Sequence, residues 1–93
     1  MEKVPHLRRK IDEIDEKILL LLKDRIDVSK LIGKIKRENA VPIRDLQREE
    51  EKYRHIMQRA SELGLDLDEV KNIYKSIMAM SIHAQENSQA NGA

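Results

Sequence analysis

Residues 7–39 of the chain read LRRKIDEIDEKILLLLKDRIDVSKLIGKIKREN, and apolar side chains recur along this stretch at alternating intervals of three and four residues. This spacing places them along one face of an α-helix as a continuous seam. The seam consists of Ile11, Ile14, Ile18, Leu21, Val28, Ile32 and Ile35. Arg25 occupies the one seam position that lacks a hydrophobe. Because no proline interrupts the pattern and Gly33 weakens a helix by only about 1 kcal/mol, we predict one continuous helix from Pro5 to Glu38.

The composition is typical of an all-α protein with a thin aliphatic core. Of the 93 residues, 40% are hydrophobic, and the sequence contains no Phe, no Trp and two Tyr. An interior built from Ile, Leu, Val and Met suits helices better than sheets. A chain of this length forms one domain at most, so we expect a single domain over residues 1–93.

Charge and segment composition argue against several classes of function. Eighteen Lys and Arg against 17 Asp and Glu give a net charge of +1, so no overall field attracts nucleic acid or an anionic membrane. The chain has no cysteine, and its N-terminal stretch MEKVPHLRRK lacks the apolar region of a secretory signal. The longest uninterrupted apolar run, residues 18–22, is too short to span a bilayer. We expect a cytoplasmic protein that binds neither nucleic acid nor membranes.

The length of the first helix indicates assembly with a second copy. A helix from Pro5 to Glu38 extends about 50 Å, whereas a compact chain of this size has a radius of gyration of about 12 Å. The hydrophobic seam therefore extends beyond what one chain can cover. We expect a homodimer in which two long helices pack along each other, so that symmetry closes both seams.

Turn signals divide the rest of the chain into two shorter helices. Val41 and Pro42 end the first helix, because the residue before a proline is extended and proline lacks the N–H of the helical ladder. A short loop over residues 39–45 follows. Asp45 is a candidate N-cap for a second helix over residues 46–63.

The third helix is expected after Gly64, which ends the second helix. Asp66, followed three residues later by Glu69, resembles a capping box, and the helical pattern that it opens continues to Glu86. Residues 87–93 are small and polar, and we expect them to form a disordered tail.

Two cations of the first helix can contact one small ligand. Lys36 lies 11 residues after Arg25, and this spacing returns its side chain to nearly the same face, about 16 Å further along the axis. Arg8 lies 17 residues before Arg25, about 26 Å away and on a different side of the helix, so it cannot share that ligand within one chain. In an antiparallel dimer, Arg8 of the partner subunit can reach the site.

The other two helices add polar groups. Arg48 and Glu49 lie in the first turn of the second helix, and Ser81 and Gln85 replace hydrophobes on the apolar line of the third. Taken singly, Arg48 and Glu49 are also compatible with a solvated surface, and Ser81 and Gln85 with a fraying helix end. Arg25 alone is also compatible with a structural role in fixing helix register. Taken together, they describe a buried pocket with at least three cations, one carboxylate and neutral donors, which suits a compact dianion that carries a hydroxyl.

No nucleophile accompanies this pocket in the sequence. His6, His55 and His83 lack a partnering acid at a useful spacing, and we interpret them as surface residues. The acidic cluster within residues 12–16 has no His or Cys beside it and reads as a solvated helix face. We expect neither a metal nor a cofactor.

These residues, in this order, resemble the all-helical chorismate mutases of the AroQ class from Leu7 to about Gln85. The resemblance rests on LRRKIDEIDEKIL, on KDR ending at Arg25, on GKIK ending at Lys36, on PIRDLQRE after the loop, and on Ser81 with Gln85. It implies an intertwined homodimer of three-helix chains with two active sites. The implied reaction is the pericyclic Claisen rearrangement of chorismate to prephenate on the shikimate pathway toward phenylalanine and tyrosine.

The resemblance also implies a role for each site residue. The family's pattern would place in one site Arg25, Lys36, Asp45, Arg48, Glu49, Ser81 and Gln85, with Arg8 from the partner subunit. The three arginines would hold the two carboxylates of the substrate, assisted by Ser81. Lys36 and Gln85 would donate to the ether oxygen as the bond breaks. Glu49, with backbone near Asp45, would accept from the ring hydroxyl.

Two other functions remain compatible with the sequence. An isochorismate-pyruvate lyase shares the fold and the cationic pocket, but its members depart from the acid after the second-helix arginine, so Glu49 favours the mutase. A non-catalytic dimeric helical adaptor would use Arg25 only to fix helix register. A complete protein and a domain of a fused pathway enzyme both fit the sequence.

Overall fold

The computed structural model describes the backbone of residues 3–91 and the side chains of residues 3–87. Within this range the chain forms three α-helices and no strand: α1 over Lys3–Glu38, α2 over Leu46–Glu62 and α3 over Leu67–Asn91. The predicted all-α class and the three helices are confirmed. None of the helices in this range is both long and apolar enough to cross a membrane.

The helix ends follow the local signals in the sequence. The Asp45 carboxylate accepts from the backbone N–H of Arg48 at 3.0 Å and caps α2. Asp66 accepts in the same way from the N–H of Glu69 at 2.9 Å and caps α3. Gly64, with φ of 72°, ends α2 in the left-handed conformation that glycine adopts without a steric penalty.

Helix α3 is longer than the sequence predicts. It continues past Glu86 to Asn91, because residues 87–91 contain no proline or glycine that would end the hydrogen-bond ladder. Disorder of the segment 87–93 stays a prediction, and residues 92 and 93 lie outside the described part of the chain.

Helix α3 packs against both α1 and α2. The small buried core includes Ile56 and Ala60 of α2 together with Met78 and Ala84 of α3. Helix α1 approaches α3 closely at Gly33, where an added Cβ would lie 2.7 Å from the Cα and the backbone oxygen of Gln85. A glycine is therefore required at this crossing, because any side chain would push the two helices apart.

The hydrophobic seam of α1 is left uncovered by its own chain. All seven apolar seam residues are exposed, with between 41% and 66% of their surface accessible. The Cα radius of gyration is 16.8 Å, larger than the roughly 12 Å of a compact chain of this length. The single chain is thus an extended body with its longest apolar face open to solvent.

Candidate active site

A cavity of about 440 Å³ lies among the three helices and the loop between α1 and α2. The sequence predicted seven residues of one chain for the site, and all seven line this cavity: Arg25, Lys36, Asp45, Arg48, Glu49, Ser81 and Gln85. Residues up to 60 positions apart in the sequence are thereby brought to one site. The volume falls in the range of cavities that hold small-molecule ligands.

Arg25 is fixed to α3 by hydrogen bonds. Its Nη1 donates to the Oγ of Ser81 and, at 3.4 Å, to the carbonyl oxygen of Ile77. The Ser81 side chain is buried, and Arg25 is half-buried although its apolar neighbours on the seam are exposed. A guanidinium held in this way keeps further N–H donors for an anion, because it has five in total.

Lys36 and Gln85 form a linked pair of donors. Lys36 Nζ donates to the carbonyl oxygen of Ile43 at 2.6 Å and to Gln85 Oε1 at 3.0 Å. An ammonium has three N–H groups, so one remains for a ligand. Because the amide oxygen of Gln85 accepts from Lys36, its NH₂ group is left to donate. Two donors from different helices thus meet at one wall of the cavity.

Glu49 is held by a cation that the sequence had not singled out. Arg44 donates from Nε to one carboxylate oxygen at 2.9 Å and from Nη2 to the other at 2.7 Å. These hydrogen bonds, and then the negative charge of Glu49, raise the pKa of Arg44 above its ordinary value, so its charge is secure. Glu49 lines the cavity, whereas Arg44 stands outside the lining.

Seven further residues that the sequence did not assign to the site also line the cavity. They are Val28, Ser29, Ile32, Ile43, Lys52, Met78 and Ile82. Helical spacing was a usable signal for two of them, because Ser29 lies four residues after Arg25 and Lys52 lies four residues after Arg48. Arg44 carried no comparable signal, since it lies in the loop, where side-chain direction does not follow a period.

Arg8 does not reach the cavity of its own chain. It lies in the exposed first half of α1 and is absent from the residues that line the site. The distance of about 26 Å along the helix axis to Arg25 accounts for this separation. A contribution of Arg8 to catalysis therefore stays a prediction that depends on a second chain.

The cavity carries an excess of positive charge. Its lining includes the cations Arg25, Lys36, Arg48 and Lys52 and the carboxylates Asp45 and Glu49. Asp45 is engaged in capping α2, and Glu49 is paired with Arg44. Among the residues that the structure describes, no group of three or more His, Cys, Asp or Glu side chains is placed to hold a metal ion. The fold and the site define a helical protein with a cation-rich cavity of a size that holds small molecules.

Comparison with known proteins gives the family. The chain belongs to the family chorismate mutase type II, whose model matches residues 7–86. It is similar to a protein named chorismate mutase from Methanocaldococcus jannaschii, with 39% identity over 66 residues, which cover 71% of this chain and 67% of that protein. The predicted family and enzyme class, an isomerase of the chorismate mutase type, are confirmed.

Two further relatives extend this comparison. A bifunctional chorismate mutase/prephenate dehydratase from Aquifex aeolicus is 35% identical over 89 residues, which cover 92% of this chain but only 25% of that protein. This chain therefore spans about a quarter of that relative. A solved structure, a conserved hypothetical protein from Pyrococcus furiosus, superposes with a TM-score of 0.71 at 36% identity and covers 91% of this chain and 97% of its own.

Proposed function

We propose that the cavity binds chorismate and converts it to prephenate, as a step toward phenylalanine and tyrosine. The observation that carries this proposal is the meeting of Lys36 and Gln85 within a cation-rich cavity of the required size. In this rearrangement one carbon–oxygen bond breaks and one carbon–carbon bond forms within a single molecule, without an added group. Such a reaction needs donors and cations in fixed positions rather than a nucleophile.

Binding would restrict the substrate to its reactive shape. Arg25 and Arg48 would hold the two carboxylates, because a planar guanidinium binds a carboxylate through two parallel hydrogen bonds and keeps its charge. Ser81 accepts from Arg25 and can turn its own O–H toward the ligand. Fixing both carboxylates would hold the flexible enolpyruvyl side chain over the ring, which removes much of the entropy barrier.

The electrostatic part of catalysis would fall to Lys36 and Gln85. Negative charge grows on the ether oxygen as its bond to the ring breaks, and donors aimed at that oxygen bind the transition state more tightly than the substrate. Glu49, with backbone near Asp45, would accept a hydrogen bond from the ring hydroxyl and fix the ring against these donors.

The proposed active unit is an antiparallel homodimer that completes each site with Arg8 of the partner subunit. The exposed seam of α1 supports this arrangement, since a second copy would remove a continuous apolar face from water. If two α1 helices pair over their full length, Arg8 of the partner subunit lies opposite Gly33. This position falls between Arg25 and Lys36, the two cations that α1 already supplies to the cavity.

A subunit-mixing experiment tests the shared site. Arg8→Ala and Arg25→Ala are each expected to lose most of their activity on chorismate. In a mixed dimer, the site on the Arg8→Ala chain keeps its own Arg25 and receives Arg8 from the Arg25→Ala chain, so it is intact. The site on the Arg25→Ala chain lacks both arginines. Refolding the two variants together in equal amounts should therefore restore about a quarter of the wild-type activity. A mixture no more active than its separate parents would contradict the exchange of Arg8.

The rate is expected to vary little with pH around neutrality. Gln85 is neutral at every pH and donates without first being protonated, so kcat should stay nearly flat from about pH 6 to about pH 8. The matched variant is Gln85→Glu, which must be protonated to donate and should lose activity as the pH rises. A steep fall of the wild-type rate over this range would contradict the role of Gln85.

The deciding experiment follows chorismate in the presence of the purified 93-residue chain. Loss of chorismate with formation of prephenate is the expected result. A parallel assay with isochorismate distinguishes the related lyase, which would release pyruvate. A chain inactive on both substrates would favour the non-catalytic helical adaptor instead. The cytoplasmic location expected from the sequence stays a prediction.

A further inference from the structure

Three consecutive loop residues each contact a different residue of the site. The carbonyl oxygen of Ile43 accepts from Lys36, Arg44 pairs with Glu49, and the side chain of Asp45 accepts from the N–H of Arg48. The loop thus acts as a frame for groups from both α1 and α2. Of its three contacts, the one made by Arg44 is the most direct, because it joins charged side chains through two hydrogen bonds.

We propose that Arg44 is a positioning residue that holds the Glu49 carboxylate in the orientation needed to accept from the substrate's ring hydroxyl. This inference rests on the proposed function and adds a residue outside the cavity to it. Arg44 touches neither the proposed substrate nor the reacting atoms, and it acts only through Glu49.

The geometry of the pair fixes the carboxylate and leaves it able to accept. Two hydrogen bonds of 2.9 and 2.7 Å, one to each oxygen, fix the orientation of the Glu49 carboxylate relative to the guanidinium. A carboxylate has about four lone-pair positions, so two remain for other donors. Because Glu49 lines the cavity and Arg44 does not, the guanidinium occupies the outer side and leaves the inner side for the substrate.

The pair also adjusts the charge of the site. A Glu49 carboxylate without a cationic partner would repel a dianionic substrate. The repulsion would act at the point where Glu49 must accept a hydrogen bond from the substrate's ring hydroxyl. The guanidinium offsets that charge while keeping both oxygens as acceptors. Arg44 therefore allows Glu49 to accept a hydrogen bond without weakening the electrostatic attraction between the cations of the cavity and the dianionic substrate.

An ordinary surface ion pair contributes little, so a matched control is needed. Arg54 and Glu50 on the same helix form such a pair, 3.6 Å apart with both side chains 74% exposed. The Glu49 side chain, by contrast, is 22% exposed and Arg44 is 56% exposed. Arg54→Ala removes the same charge as Arg44→Ala, and Arg54 does not line the cavity.

The experiment measures kcat and KM for chorismate with the wild-type chain and the variants Arg44→Ala, Arg44→Lys and Arg54→Ala. Arg44→Ala is expected to lower kcat/KM by about tenfold, because a loosely held Glu49 meets the substrate in many orientations. Arg44→Lys keeps the charge but cannot present two parallel donors. Its kcat/KM should therefore be closer to that of Arg44→Ala than to that of the wild type. Arg54→Ala should match wild type.

Arg44→Ala combined with Glu49→Gln separates a positioning role of Arg44 from a general structural effect. If Arg44 acts through Glu49, Arg44→Ala should lower kcat/KM no further once Glu49 has been replaced. An equal loss in both backgrounds, full activity of Arg44→Lys, or no loss in Arg44→Ala would each overturn the inference. If the wild-type chain does not consume chorismate, the proposed function fails first, and that result is distinguishable from a chain that is active and insensitive to Arg44.

Discussion

Lys36→Ala is expected to lower kcat for chorismate by about two orders of magnitude or more. The ammonium donates to Ile43 O and to Gln85 Oε1, and its third N–H is the donor proposed for the ether oxygen. Its removal takes away a positive charge where negative charge develops, and it also frees the Gln85 amide to rotate. Two donors are therefore disturbed by one substitution. Steady-state kinetics on the purified variant measure the effect.

The matched control for this substitution is Lys34→Ala. Lys34 lies on the same helix, is exposed and carries the same charge, but it does not line the cavity. Its replacement should leave kcat unchanged, which separates the local role of Lys36 from a loss of overall positive charge. The far-ultraviolet circular dichroism of both variants should match wild type. A near-wild-type kcat for Lys36→Ala would contradict the assignment of the electrostatic role.

Gly33→Ala is expected to destabilise the fold by about 1–2 kcal/mol and to lower activity with it. Two effects oppose each other at this position. Alanine favours the helix over glycine by about 1 kcal/mol, whereas forcing an extra carbon into a packed contact costs about 1–3 kcal/mol and occasionally more. The added Cβ would lie 2.7 Å from backbone atoms of Gln85, which cannot rotate away. The steric term should win, and separation of α1 from α3 would displace Gln85 from Lys36.

The same substitution at Gly64 provides the control. An added Cβ at Gly64 would meet no atom within 4 Å, and the strain arises only from its φ of 72°. Gly64→Ala should therefore lose about 1 kcal/mol of stability without a change in kcat. Urea denaturation at one fixed protein concentration and chorismate kinetics measure both variants. A Gly33→Ala chain as stable as wild type would show that the helices separate freely at the crossing.

Most of the architecture was predictable because local signals and helical periodicity agree. Asp45 and Asp66 cap their helices as predicted, and Pro42 follows a helix that ends at Glu38. Helix α3 runs five residues past the predicted helical pattern, which ended at Glu86, because residues 87–91 contain no glycine or proline. Composition alone is a weaker signal for a helix end than glycine or proline.

The polar pairs of the site were predictable from helical spacing, whereas Arg44, which lies in the loop and holds Glu49, was missed. The spacing of Arg25 and Lys36 on α1, and of Ser81 and Gln85 on α3, places each pair on one face before any tertiary contact is known. Arg44 has no such constraint, because loop geometry is set by contacts that the sequence does not display. The approach of Gly33 to Gln85 was equally invisible, since a helix–helix distance depends on packing.

If the uncovered seam of α1 is the dimer interface, catalysis depends on the protein concentration. If each site draws Arg8 from a second chain, a folded monomer holds only part of the catalytic machinery, and dilution removes complete sites before it removes folded chains. Stability would follow the same dependence, because association adds to the free energy of unfolding in proportion to the logarithm of concentration. Activity per chain would then report on association itself, and the midpoint of the activity loss on dilution would give the dissociation constant of the dimer.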